Sequence, residues 1–153
     1  MAGEPLIARR SIDIAAEPST VWNIIVSPAL WPQWMMVPPA LEPGQTVLDI
    51  GSIVKWKNER GETYLTGTVT ALDRESRLVL ELHDVSWKRR AAPGEVTYSL
   101  AITSHGDHTH VEFRLGDLSI DAKGRQWCQS YVDSRELEKI RDLAEGGISG
   151  SVP

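Results

Sequence analysis

Residues 105–110 read HGDHTH, and His108 and His110 stand two apart, so a strand here would put both imidazoles on one face with Asp107 beside them. That is the beginning of a divalent-metal chelate. Val111, Phe113 and Leu115, however, mark the dry face of the same run, which turns His108 and His110 outward beside an exposed turn. No metal is expected there. Cys128 is the single cysteine; it lies next to Trp127 with no base nearby, and reads as a small buried hydrophobe rather than a nucleophile. No G-x-S-x-G signature nominates a serine, and no G-x-G-x-x-G follows a strand, so no nucleotide or other cofactor is expected.

Glu81, Asp84, Asp117 and Asp121 could do acid or base work only if buried beside a substrate. Glu81 points away from the face of Leu78, Leu80 and Leu82 and reads as solvated. The catalytic residues are thus not identifiable from the sequence. What is abundant instead is indole and phenol. Trp34, Trp56, Tyr64, Trp87, Tyr98, Phe113, Trp127 and Tyr131, with Leu80 and Leu100, fall on apolar faces that serve either core packing or the lining of a cavity. Arg10, Ser130 and Ser134 are the polar groups that could face the same space.

The elements that must position these residues follow from hydrophobic period. Residues 6–14 alternate as one strand, with Arg10 on its apolar side. Pro18 opens a short helix that is apolar from Val21 to Val26 except at Asn23. Pro32 then enforces a break, giving a second short helix near Trp31 and Trp34, at the expected rim of the fold. From residue 53 onward the period is two. Val54 and Trp56, the β-branched run TYLTGTVTAL, Leu78 to Leu82, Val96 to Ile102 and Val111 to Leu115 predict linked antiparallel strands with one dry face. After GDLSID the spacing of Trp127, Tyr131, Ser134, Leu137 and Ile140 predicts one long helix to about Ala144, with Asp121 as its cap and Gly146–Gly147 as its stop. The order predicts an α+β chain: a curved antiparallel sheet of about seven strands wrapped on a long C-terminal helix, with two short helices after the first strand.

At 153 residues, with no linker or repeat, one domain is expected over 1–153, its core at about 6–145 and its tail 146–153 frayed. A net charge of −5 gives no reason to expect nucleic acid. No stretch reads as a signal peptide or membrane span, and the lone cysteine fits a reducing compartment, so a cytoplasmic location is expected.

Taken together, SIDIAAEPSTVWNIIVSPALWPQW, GSIVKW, GTVTALDRESRLVLEL, VTYSLAI with THVEFRL, and GRQWCQSYVDSRELEKIRDL resemble the START-like or SRPBCC superfamily. That group holds polyketide cyclases, lipid-transfer domains, pollen-allergen-like proteins and heat-shock ATPase activator homologues. The resemblance spans about Leu6 to Ala144 and implies a helix-grip fold with a cavity between sheet and long helix. Tyr131 and Ser134 stand where aliphatic residues are common, which implies a more polar cavity wall. The function expected is binding or transport of a small hydrophobic or aromatic ligand, such as a lipid, isoprenoid or polyketide. Alternatives are a polyketide cyclase or dehydratase and a stress-response module that binds a protein partner. A monomer or homodimer is expected.

Overall fold

Alternation in the sequence becomes curvature in the computed structural model, which describes residues 4–146. Seven strands form one antiparallel sheet: β1 Ala8–Ile14, β2 Ala40–Leu41, β3 Ile53–Lys57, β4 Thr63–Asp73, β5 Arg77–Asp84, β6 Thr97–His105 and β7 His108–Gly116. Their spatial order is β1-β7-β6-β5-β4-β3-β2, a meander closed at one edge by the first strand. The dry face carries Val54, Trp56, Leu78, Leu80, Leu82, Tyr98, Leu100, Ile102, Val111, Phe113 and Leu115, all buried. Two bulges bend the sheet. The β3–β4 register shifts between Trp56 and Lys57, leaving Tyr64 outside the ladder, and the β4–β5 register shifts between Val69 and Ala71.

Helices fill the concave side. They are α1 Pro18–Val26, a 3-10 turn at Pro28–Leu30, α2 Trp31–Trp34, a second 3-10 turn at Leu118–Ile120, α3 Gly124–Val132 and α4 Glu136–Gly146. In α1, Val21, Trp22, Ile24 and Ile25 are buried and Asn23 is exposed, as its composition predicts. This helix packs on α4, β6 and β7, while α4 lies on β1 and α3 on β1 and β7. No helix among the described residues is long and apolar enough to cross a membrane.

The C-terminal helical region is long, as expected, but it is interrupted at residues 133–135. Asp133 and Ser134 compete for backbone hydrogen bonds and favour helix ends over helix interiors. Asp121 does not cap α3 directly; its Oδ1 accepts from the Lys123 N–H at 2.7 Å and shapes the turn before the helix. Of the tail expected to fray, residues 147–153 lie outside the described residues.

Gly67 and Gly124 each permit a close approach that shapes the site. At Gly67 a Cβ would stand 3.2 Å from Val54 Cγ2 and 3.3 Å from the Trp56 ring, so the bare backbone leaves that indole its place. At Gly124 a Cβ would fall 2.0 Å from the Leu118 carbonyl oxygen, a backbone atom. Gly124→Ala must therefore displace the start of α3. It is expected to cost about 3 kcal/mol, read as a lower urea midpoint at unchanged slope.

Candidate functional site: an aromatic cavity between the third helix and the sheet edge

Packing of α3 against β1 and β7 leaves the far side of the sheet uncovered, and a cavity of about 820 Å³ opens there, partly exposed to solvent. Trp56 of β3 and Tyr64 and Leu65 of β4 form one wall. Tyr64 reaches it because the bulge removes that residue from the ladder and re-aims its side chain. Gln126, Trp127, Ser130 and Tyr131 of α3 form the opposite wall. Met36 and Val37, each 42% exposed, border the space from the segment after α2. Asp84 and Ser86 at the end of β5, with Asp121, Ala122 and Lys123 ahead of α3, complete the lining, which is predominantly apolar.

Hydrogen bonds and ring contacts fix these walls from behind. The Trp56 indole N–H donates to the Val37 carbonyl at 2.7 Å. Tyr131 stacks on Phe113 with centroids 5.9 Å apart, and Tyr98 meets both rings edge-on at 5.1 Å and 6.3 Å. The Tyr98 hydroxyl donates to Glu136 Oε1 and the Met36 N–H to Glu136 Oε2, each at 2.8 Å. Glu136 is only 3% exposed. Burial pushes its carboxyl up, against the opposing pull of those two hydrogen bonds. Burial, then the neighbouring Glu136, likewise raises the Tyr98 and Tyr131 hydroxyls, and burial beside Asp84 raises that of Tyr64. The phenols are thus held neutral, as hydrogen-bonding groups on an otherwise greasy wall.

Of the side chains that sequence reasoning nominated, Trp56, Tyr64, Trp127, Tyr131 and Ser130 meet at this cavity. Tyr98 and Phe113 stand one layer behind Tyr131. Leu80 and Leu100 are buried at 4% and 1% exposure outside the lining. Trp87 is also outside, but its indole donates to Asp121 Oδ2 at 2.7 Å and so holds a residue of the rim. Trp34 does not stand at the rim: it is 1% exposed, with its indole N–H donating to the Ile24 carbonyl at 3.2 Å. Trp31 is similarly buried and donates to the Ile25 carbonyl at 2.9 Å.

Arg10 faces inward but is committed elsewhere. Its guanidinium forks onto Glu138 at 2.9 and 2.5 Å and onto the Ser134 carbonyl at 2.5 Å, clamping β1 to α4 across the helix break. The Arg10 hydrogen bond draws the Glu138 carboxyl from 4.5 down to about 2. A depressed carboxyl stabilises the fold above its unfolded value and loses that contribution as pH falls towards the folded one. Glu138→Gln should therefore cost about 2 kcal/mol at neutral pH. The gap between variant and wild type, followed by urea titration across pH, should close as pH falls from 4.5 to about 2.

A family sequence model, that of the activator of Hsp90 ATPase homolog 1-like protein, matches residues 15–144. The chain belongs to that family. The activator of Hsp90 ATPase homolog 1-like family sits within the SRPBCC, or polyketide cyclase-like, superfamily. Solved structures share the fold at low identity. The Aha1 dimer from Colwellia psychrerythraea superposes with a TM-score of 0.65 at 15% identity, covering 91% of this chain and 96% of that one. A solution structure from Cytophaga hutchinsonii gives 0.66 at 20% identity, over 96% and 99% of the two chains. DynU16, a protein of the dynemicin biosynthetic locus, gives 0.65 at 13% identity over 91% of this chain and 47% of its own. A search of curated proteins returns no match.

Two of the histidines of this family member are engaged locally, whereas the buried His83 Nδ1 has no hydrogen-bond partner among the described residues. His108 Nδ1 lies 2.6 Å from Asp107 Oδ1 and His110 Nδ1 lies 2.8 Å from Asp13 Oδ1. The Cys128 thiol is half-buried, and burial raises its pKa. Met36, Val37, Leu65, Ser86, Ala122, Lys123 and Gln126 of the lining, with Glu136 behind it, are the residues that sequence reasoning missed. Glu136, Ile140 and Leu143 are spaced four and three apart, so a carboxylate on the apolar helix face was the available signal.

Proposed function

We propose that this chain binds a small molecule with an apolar or aromatic body in the cavity between α3 and β3–β5. The observation that carries this reading is the cavity itself: about 820 Å³, within the range of small-ligand sites, with four aromatic side chains turned into it. Trp56, Tyr64, Trp127 and Tyr131 would supply the contact surface, with Ser130 and the phenols orienting the ligand. Trp34, Leu80, Trp87, Tyr98, Leu100 and Phe113 would hold the walls rather than touch the ligand. Arg10 and Ser134 would act only through the clamp on α4. Removing apolar surface from water at about 25 cal/mol per Å² would drive association. DynU16, from a biosynthetic locus, shares the fold, which is consistent with a polyketide-like body as one member of this ligand class.

The test is a titration of an uncharged solvatochromic dye and of uncharged aromatic ligands, following both dye and indole emission. Saturable binding near one per chain is expected, and Trp127→Ala should weaken it about tenfold, a loss of the size carried by one well-packed aromatic contact. Trp127 is only half-buried, so the melting temperature should change little. Absence of saturable binding to the wild-type chain, or binding indifferent to Trp127→Ala, would overturn the reading.

A further inference from the structure

Two carboxylates at the mouth bear on what kind of small molecule the cavity takes. Asp121 is held on both oxygens: Oδ2 accepts from the Trp87 indole N–H and Oδ1 from the Lys123 backbone N–H, each at 2.7 Å. Asp84 Oδ1 accepts from the Ser86 N–H at 2.8 Å and from the Ser86 hydroxyl at 2.7 Å. Every one of these donors is neutral. An ionised carboxylate has about four acceptor positions, so neither group is saturated by them. Among the described residues, no lysine, arginine or histidine nitrogen lies within 4.0 Å of either. Lys123, the third charged side chain on the wall, forms no ion pair with them.

A wholly apolar ligand filling this space would strip water from two carboxylates and return nothing to them, a penalty that selects against it. A ligand bearing a positive charge reverses the sign of that contribution. The facing rings act in the same direction, because the faces of indole and phenol attract cations, weakly hydrated quaternary ammonium groups above all. Extending the cavity-binding reading above, on which this rests, we infer that the ligand is an organic cation. Its ammonium or quaternary ammonium head sits between Asp84 and Asp121, and its apolar or aromatic body lies against Trp56, Trp127 and Tyr131.

Three probes of matched shape test this: phenylbutyl-trimethylammonium, its uncharged tert-butyl isostere, and phenylpentanoate. They are titrated into the wild-type chain, Asp84→Asn, Asp121→Asn and the double variant, by calorimetry and indole fluorescence. The cation should bind the wild type about tenfold more tightly than the uncharged isostere, and added salt should erode the difference. In the double variant the preference for the cation should shrink to what the rings alone supply, because the uncharged probe no longer strips water from two carboxylates; a double variant that keeps the full tenfold preference would overturn the inference. Equal wild-type affinity for cation and isostere, or tighter binding of phenylpentanoate, would overturn the charge inference and leave the cavity reading standing. If none of the three binds, the cavity reading falls and the inference with it. The wild-type ranking and its salt dependence decide the matter even where a variant fails to fold.

Discussion

Trp34→Ala should lower the free energy of unfolding by about 4 kcal/mol while the folded variant still binds dye in the cavity at wild-type affinity. The indole is 1% exposed and lies outside the cavity lining. It fills the space under α1, and α2, which carries it, packs against α4. Truncation therefore leaves a void the size of an indole and frees the Ile24 carbonyl of its partner. The measurement is a urea titration beside a dye titration. A stability loss under 1 kcal/mol with weakened dye binding would instead move Trp34 to the cavity rim.

An effect of similar size is expected at Glu136. Glu136→Ala removes the acceptor for two donors at once, the buried Tyr98 hydroxyl and the part-buried Met36 N–H. At about 1 to 3 kcal/mol for a stranded group, and less for the one that water reaches, the loss should be about 3 kcal/mol. The sign of a second substitution separates this cause from lost packing. Tyr98→Phe should destabilise the wild type, which loses a satisfied hydrogen bond, but stabilise the Glu136→Ala chain, which loses a stranded hydroxyl. The pH dependence gives a further check. Burial raises the Glu136 carboxyl above 4.5, so the folded chain keeps a proton that the unfolded chain has released. Wild-type stability should therefore decline as pH rises from 4.5 through that raised value, and the Glu136→Ala chain should lack this decline.

Most of the architecture was legible because strands with one dry face print a period of two. Val54 with Trp56, Leu78 with Leu80 and Leu82, and Val111 with Phe113 and Leu115 each specify which side faces inward. The pair of short helices followed from Pro18 and Pro32. What alternation does not encode is which part of a continuous dry face is covered. Tyr98, Leu100 and Phe113 point the same way as Trp56, yet helices cover their end of the sheet and leave the β3–β4 end open. Trp34 illustrates the same limit, because a tryptophan beside a proline break can stand at a rim or under a neighbouring helix, and local sequence does not distinguish them. Tyr64 was found for its residue type, but the bulge that aims it depends on a register set by two partners. The helix break at 133–135 was written in Asp133 and Ser134, whose preference for helix ends the apolar spacing across them obscured.

That break divides two kinds of heritable information. Upstream of it, Gln126, Trp127 and Ser130 border the cavity and are at least partly exposed. Downstream, Leu137 and Ile140 are buried in the core, and Glu138 ties α4 to the first strand. On the binding function proposed above, Gln126, Trp127 and Ser130 are the positions of α3 at which a substitution would retune the pocket while the buried face of α4 is left intact. Gly124 and Tyr131 on the same helix are held to the fold, so the tunable surface is one face of α3 and not the whole helix.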